Sequence, residues 1–446
     1  MITFLKRMTS SHVVQNVISN YVTVVWLGAL SIVTVPIYLK VLGSGQWSIV
    51  AACLTMQGFL GLMDVGFSQL LPRALARVAG DRKQEIECFE QYTRIYLILA
   101  AGGVLVAQMV ISAAAQHWFK VAQADVGMLE LTLRIMTVQF FFQFANNANI
   151  GFWYGLQLQK RANFRQCVFA TMRHTLAIVS VFCVQRSALS YIIPFGFFAF
   201  IEWLANSYAI RNEWLVPGNC GRRKYSYAKL YLVVKEAGGL TFGIFIGMLV
   251  GQLDRMVLSS SLEIKEYGYY VIVANFGMAF NQLQHPLMRA FFPRIAREES
   301  TKNLGWSSGK GLLMGVLALC VFPCTMVAVW APEILHFWLR NDSAVSVGIL
   351  PFRLILAAVA LNSIYNVVYQ KIIARGRTRV VFVINITSLV ITSGVAYVFM
   401  GRIGAGLGGL IWISNSTIQL TAGLVWLKCA ARPPSDVISV GKKISI

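Results

Sequence analysis

Of 446 residues, 57% are hydrophobic and 13% are charged, and mean hydropathy is +0.63. No single water-soluble core hides that much apolar surface, so a soluble enzyme or binding domain is excluded and the chain reads as an all-α integral membrane protein. The formal net charge of +21 would point to nucleic acid only if the cations shared one soluble surface, and they do not.

Residues 1–11 are a short polar start containing Lys6-Arg7. Apolar windows of about 20 residues, the length of a helix that crosses a bilayer, follow at 14–39, 47–71, 95–114, 129–153, 167–185 and 188–210. The first lacks the short apolar run and small-residue cleavage site of a removed signal peptide, so it is read as a retained helix. Its Asn16, Ser19, Asn20 and Thr23 fall at i, i+3, i+4 and i+7, on one face. That face either lines a wet cavity or hydrogen-bonds a neighbouring helix. From Trp47 to Arg77 the pattern predicts one long apolar helix with a single buried carboxylate, Asp64, ending at Pro72-Arg73 and more basic residues. The mixed-sign stretch from Arg73 to Arg94 predicts a helix on the membrane surface. The fourth window carries Gln139, Gln143, Asn146, Asn147 and Tyr154 along its inner half.

A basic linker containing Pro217, Gly218 and Gly221 covers 211–236. Six more windows lie at 237–260, 268–291, 311–331, 347–370, 380–400 and 405–427. The expectation is about twelve spans in two six-helix bundles, 1–210 and 237–428, followed by a cytosolic tail at 429–446. The halves repeat one plan: at an offset of 221 residues Pro72-Arg73 falls on Pro293-Arg294, Asp64 on His285 and Gly155 on Gly376. Such internal symmetry is common in membrane transporters, with the pathway between the copies.

Of the 39 Lys and Arg, 28 lie at the termini and in one alternate set of connections, and 6 in the opposite set. The positive-inside rule then places both termini in the cytosol, and a basic cytosolic face attracts anionic headgroups. None of the eight cysteines falls in an outer connection, so no disulfide is expected. Gly404-x-Gly406-x-x-Gly409 spells a dinucleotide fingerprint but follows no strand, which leaves close helix packing as its reading. The five histidines do not cluster in sequence. No cofactor or metal is implied, and an enzyme is the weaker class.

Inside the windows lie Arg134, Arg173, Arg255, Arg289 and Arg353, with Asp64, Glu202 and Asp254. Each costs roughly 2.5 to 3.5 kcal/mol at the bilayer centre, so most need a partner, an interface or water. Arg134 and Arg353 lie close enough to the outer ends to snorkel. Asp254 and Arg255 point about 100° apart on a helix and need partners elsewhere. In the eighth window Asn275, Gln282, His285 and Arg289 form a polar face ending in a cation. With the first-window face, this predicts a wet cationic cavity between the halves, suited to a phosphorylated or otherwise anionic substrate, because the arginine fork matches phosphate.

The segments VPIYLKVLGSGQWSIVAA, LMDVGFSQLLPRALA, QLDRMVLSSSLEIKEYGYYVIVANF and ARGRTR resemble the bacterial polysaccharide transporters, or O-antigen flippases, of the multidrug, oligosaccharidyl-lipid and polysaccharide exporter superfamily. The resemblance covers nearly the whole chain. It implies two bundles that alternate between inward-open and outward-open forms, moving an undecaprenyl-diphosphate-linked oligosaccharide from the cytosolic to the outer leaflet of the bacterial inner membrane. It further implies Arg255 and Arg289 for the diphosphate, Asn16, Asn20, Asn275, Gln282 and His285 for the sugar path, and Asp64 or Asp254 as a proton or sodium site. The implied partners are the lipid-linked substrate, membrane lipids and other polysaccharide assembly proteins. A cation-coupled multidrug exporter of the same superfamily would be expected to carry a buried acid in the first span, which this sequence lacks. A membrane-embedded polymerase or glycosyltransferase would usually have a large outer loop or a carboxylate-rich cytosolic loop, and neither is evident.

Overall fold

The computed structural model describes residues 12–64, 67–214, 245–300 and 307–431. These are almost wholly helical, as hydrocarbon requires of a chain that must pair its backbone polar groups within itself. Helix α1 (His12–Gly61) breaks where Gly43 adopts φ 72°, a left-handed conformation that a Cβ would strain. At about 1.5 Å per residue its 50 residues exceed twice the ~30 Å of hydrocarbon. The break therefore divides α1 into two passes.

A 3-10 turn at Leu62–Asp64 follows, and the chain resumes as α2 (Phe67–Val78). The single helix expected from Trp47 to Arg77 is thus two pieces, and Asp64 is half-buried at the break. Its carboxylate accepts from the Ser68 amide at 3.2 Å and so caps α2. No separate surface helix forms over Arg73–Arg94. Instead α3 (Arg82–Ala113), capped by Asp81 through the Lys83 and Gln84 amides, runs directly on into a π turn at Ala114–Trp118. Helices α4 (Val126–Gly155), α5 (Gln159–Cys183) and α6 (Ala188–Trp214) complete the first half. The rest of the linker, the seventh window up to 244, and the tail from 432 lie outside the described residues.

The second half opens with helical residues 245–250, a turn at Gly251-Gln252, and α7 (Leu253–Ser261). Helix α8 (Ile264–Ala279) leads through a 3-10 turn at Phe280–Leu283 into α9 (Gln284–Ser300). Both halves therefore contain helix, 3-10 turn and helix at corresponding places. Helices α10 (Ser307–Val316) and α11 (Phe322–Val329) are joined by a π turn and lead to α12 (Ala331–Leu339). Then come α13 (Asp342–Ala374), α14 (Thr378–Phe399) and α15 (Gly406–Ala431). Among the described residues eight helical segments are long and apolar enough to cross a membrane. The protein is a multi-pass integral membrane protein.

The halves meet at the face away from the basic connections. There Trp118 Nε1 donates to Ser259 Oγ (2.8 Å), Lys120 Nζ to Ser261 O (2.7 Å), and Trp338 Nε1 to Ile32 O (2.7 Å). The largest apolar core also crosses between the halves, with Trp47 and Val50 in one cluster with Tyr267, Val271 and Phe352. Toward the basic face a separate cluster, Met288, Ile295, Leu312 and Val316, belongs to the second half alone. Buried apolar contact thus joins the halves at one face and divides between them at the other.

Candidate functional site

The expected need of Asp254 and Arg255 for partners on another helix is met, among the described residues, by α8. Asp254, in the first turn of α7, is 2% exposed. Its Oδ2 accepts from the Tyr270 hydroxyl, while Oδ1 has no hydrogen-bond partner among the described residues. One residue on, Arg255 Nη2 donates to Asn275 Oδ1 at 2.5 Å. The turn between neighbouring positions sends the carboxylate into the second-half core and the guanidinium to the open side. Asn275, Gln282 and His285 are all exposed on α8, the 3-10 turn and the start of α9. The structure thus groups Arg255 with Asn275 and continues the polar wall down the broken helix. The side chain of Arg289, on α9, lies outside the described residues.

Asn16 and Asn20 have partners within the first half. Asn16 Nδ2 donates to Gln157 O (3.0 Å), and Asn20 Nδ2 to Gln159 Oε1 (2.8 Å). Asn163 of α5 donates to Ser19 Oγ (3.1 Å) and Asn20 Oδ1 (2.6 Å). Of the two readings open for this face, the described bonds are interhelical ones.

Other intramembrane charges are also paired. Arg134, expected to snorkel, binds Glu130 at 2.7 Å and Gln108 Oε1 at 2.8 Å. Arg353 donates to Ala328 O and Val329 O, placing a cation at the C-terminal end of α11. Arg173 meets Glu202 at 2.9 Å inside the first half. Around that pair Asn146 donates to Glu202 Oε1, and Asn206 and Asn149 donate to Asn146 Oδ1. The corresponding helices of the second half carry a neutral row: Asn366 donates to Gln284 and Asn362, Asn362 to Gln419, and Gln419 to Asn385. Charge is therefore unequal between two otherwise similar amide networks.

The sequence reading missed Tyr267, Tyr270 and Thr55. Tyr267 shares a hydroxyl–hydroxyl hydrogen bond with Thr55 of the other half. The two tyrosines stack with centroids 6.4 Å apart. Their i, i+3 spacing at the start of the apolar run 270–274 was the available signal.

Residues 13–299 match the polysaccharide biosynthesis protein family. The chain belongs to that family. Among relatives of this polysaccharide biosynthesis protein, a Shigella flexneri protein named "Putative O-antigen transporter" is 19% identical over 388 residues, covering 86% of this chain and 90% of its own. The fold is similar to an inward-facing multidrug resistance MATE family transporter of the MOP superfamily, with TM-score 0.71, 15% identity, and 91% and 94% of the two chains covered. It is equally similar to the lipid II flippase MurJ in an inward closed conformation, with TM-score 0.72, 11% identity, and 93% and 87% covered.

Proposed function

We propose that this protein is a flippase that carries an undecaprenyl-diphosphate-linked oligosaccharide repeat from the cytosolic to the outer leaflet of the bacterial inner membrane by alternating access. Its two bundles, 1–210 and 237–428, rock about the seam at the face away from the basic connections. The observation that carries this reading is the α7–α8 wall, where Arg255 held by Asn275 stands above exposed Gln282 and His285. A guanidinium beside amides and an imidazole suits a diphosphate joined to a sugar. Arg289, four residues after His285 in α9, is the second residue assigned to the diphosphate, and the excess of Lys and Arg puts both termini in the cytosol. Asn16 and Asn20 serve the sugar path by holding the first pass against the α4–α5 turn and α5.

For ion coupling, Asp254 is favoured over Asp64. Asp254 is buried with one oxygen lacking a partner, whereas Asp64 is engaged in capping α2. The test is to delete the protein, extract lipid-linked oligosaccharides, and attempt rescue with Arg255→Ala and Arg289→Ala variants. Completed repeats should accumulate with loss of surface polymer, and the variants should fail to rescue. Unchanged polymer with raised sensitivity to cationic drugs would instead establish the multidrug exporter reading, which the likeness to the MATE fold supports.

A further inference from the structure

A cavity of about 440 Å³ opens at the seam between the halves, lined by Met56 and Phe59 of α1, Val110, Ala113 and His117 of α3 and its π turn, and Met256 of α7. It lies at the end of α3 away from Arg82. Apart from His117 the lining named here is apolar, and the Trp118 indole N–H at one edge is already committed to Ser259. Val110 and its neighbour Met109 are exposed, so the mouth opens on an exposed apolar surface of α3. The π turn at Ala114–Trp118 borders it, a departure from helix geometry that recurs at functional sites.

Met256 ties this cavity to the polar wall. It follows Arg255 on the same turn of α7, about 100° round the helix. Arg255 meets Asn275 on the polar side, and Met256 faces the apolar cavity. A lipid whose diphosphate rests on Arg255 therefore has its hydrocarbon within one helical turn of a fitting apolar space. Helix α1 and the turn that leads into α7 touch at Gly58 and Gln252. A Cβ on Gly58 would lie 2.8 Å from Gln252 Oε1, an oxygen without a hydrogen-bond partner. The two segments are closely packed there, and no hydrogen bond to Gln252 Oε1 among the described residues holds them.

We infer that this cavity seats the polyprenyl tail of the lipid-linked substrate, and that the tail passes between the halves at the α1–α7 seam while the glycan stays in the polar cavity. The assignment rests on the flippase reading. Its test places the photoreactive residue p-benzoylphenylalanine at Ala113 in cells making the lipid-linked oligosaccharide, with Val425, exposed on α15, as the control. After irradiation the adducts are read by mass spectrometry. A polyprenyl-diphosphate adduct at Ala113 and phospholipid alone at Val425 is the expected result; phospholipid alone at both sites overturns the assignment. Independently, Met256→Trp fills the cavity and should lower surface polymer at least about tenfold at unchanged membrane abundance. Full surface polymer in that variant would also overturn the assignment. If deletion of the protein causes no accumulation of lipid-linked repeats, the flippase reading falls and this inference with it. If repeats accumulate but Ala113 captures only phospholipid, the cavity alone is misassigned.

Discussion

Tyr267 of α8 and Thr55 of α1 bond hydroxyl to hydroxyl across the two halves of the chain. Both are buried, and Thr55 Oγ1 also donates to Ala51 O at 2.9 Å within its own helix. The Tyr267 hydroxyl therefore adds to the seam without being needed to satisfy Thr55. Tyr267→Phe should weaken the seam by about 1 kcal/mol, a fivefold shift in the balance between its joined and parted forms. Labelling of a cysteine at Gln282 by a membrane-impermeant maleimide added outside should rise accordingly. Unchanged labelling would remove this bond from the gate.

Breaking the Arg173–Glu202 pair should destabilise the first half strongly. Both side chains are largely buried, at 14% and 8% exposure, and Glu202→Ala strands a guanidinium. The expected cost is about 3 kcal/mol, read as a lowered thermal midpoint in detergent. The double variant Arg173→Leu/Glu202→Leu should recover most of it, because replacing both partners leaves no unpaired charge. A double variant no more stable than the single one would refute the account.

Asp254→Asn keeps an amide oxygen to accept from Tyr270 and leaves its NH2 in the core without an acceptor, at a cost of about 1 to 3 kcal/mol; at matched membrane abundance, transport should lose its dependence on an imposed proton or sodium gradient. Asp254→Ala instead strands the Tyr270 hydroxyl in the core, at a cost of about 1 to 3 kcal/mol. Gradient-dependent transport surviving in Asp254→Asn would exclude this carboxylate as the coupling site.

Gly409→Ala should destabilise the contact between α13 and α15. A Cβ there would lie 3.0 Å from Pro351 Cα, which is backbone and cannot swing away, and 2.6 Å from Leu354 Cβ. An overpacking cost of about 1 to 3 kcal/mol is expected, measured by thermal unfolding. Gly406 and Gly409 serve this contact, Gly406 lying against Leu350, whereas Gly404 adopts φ 56° in the turn before α15 and faces Glu266.

At the basic face, the Asp81 carboxylate is held below the usual range first by the Gln84 backbone N–H, with the Gln84 side chain and the Lys83 backbone N–H adding to it. Its folded value is lowered, so its capping contribution is complete above the unfolded aspartate value, about 3.9, and is lost as pH falls through the lower folded value. Protection of the Lys83 and Gln84 amides, relative to their intrinsic exchange at each pH, should therefore be full at neutral pH and fall in acid, a pH dependence absent in Asp81→Ala.

Several features were legible because they are local or statistical. Apolar windows of spanning length gave the membrane class, and the adjacency of Asp254 and Arg255 required partners outside their own turn. The unequal sides of Lys and Arg gave the proposed sidedness. The paired breaks after α1 and α8 were not read, because a 3-10 turn in an apolar run leaves the hydrophobic pattern intact. Asp64 was placed in a helix for that reason, whereas the break makes it a cap.

By itself the sequence determined that the chain crosses a membrane repeatedly as helix, and which charges had to be paired, since both follow from the cost of leaving polar groups in hydrocarbon. Only the tertiary structure decided who the partners are. Asn16 turned to the turn between α4 and α5, Asn20 to α5, Arg134 to Gln108 of α3, and Arg255 to Asn275. A polar face on a helix has the same periodicity whether it meets water or another helix, and only the neighbour across from it settles which.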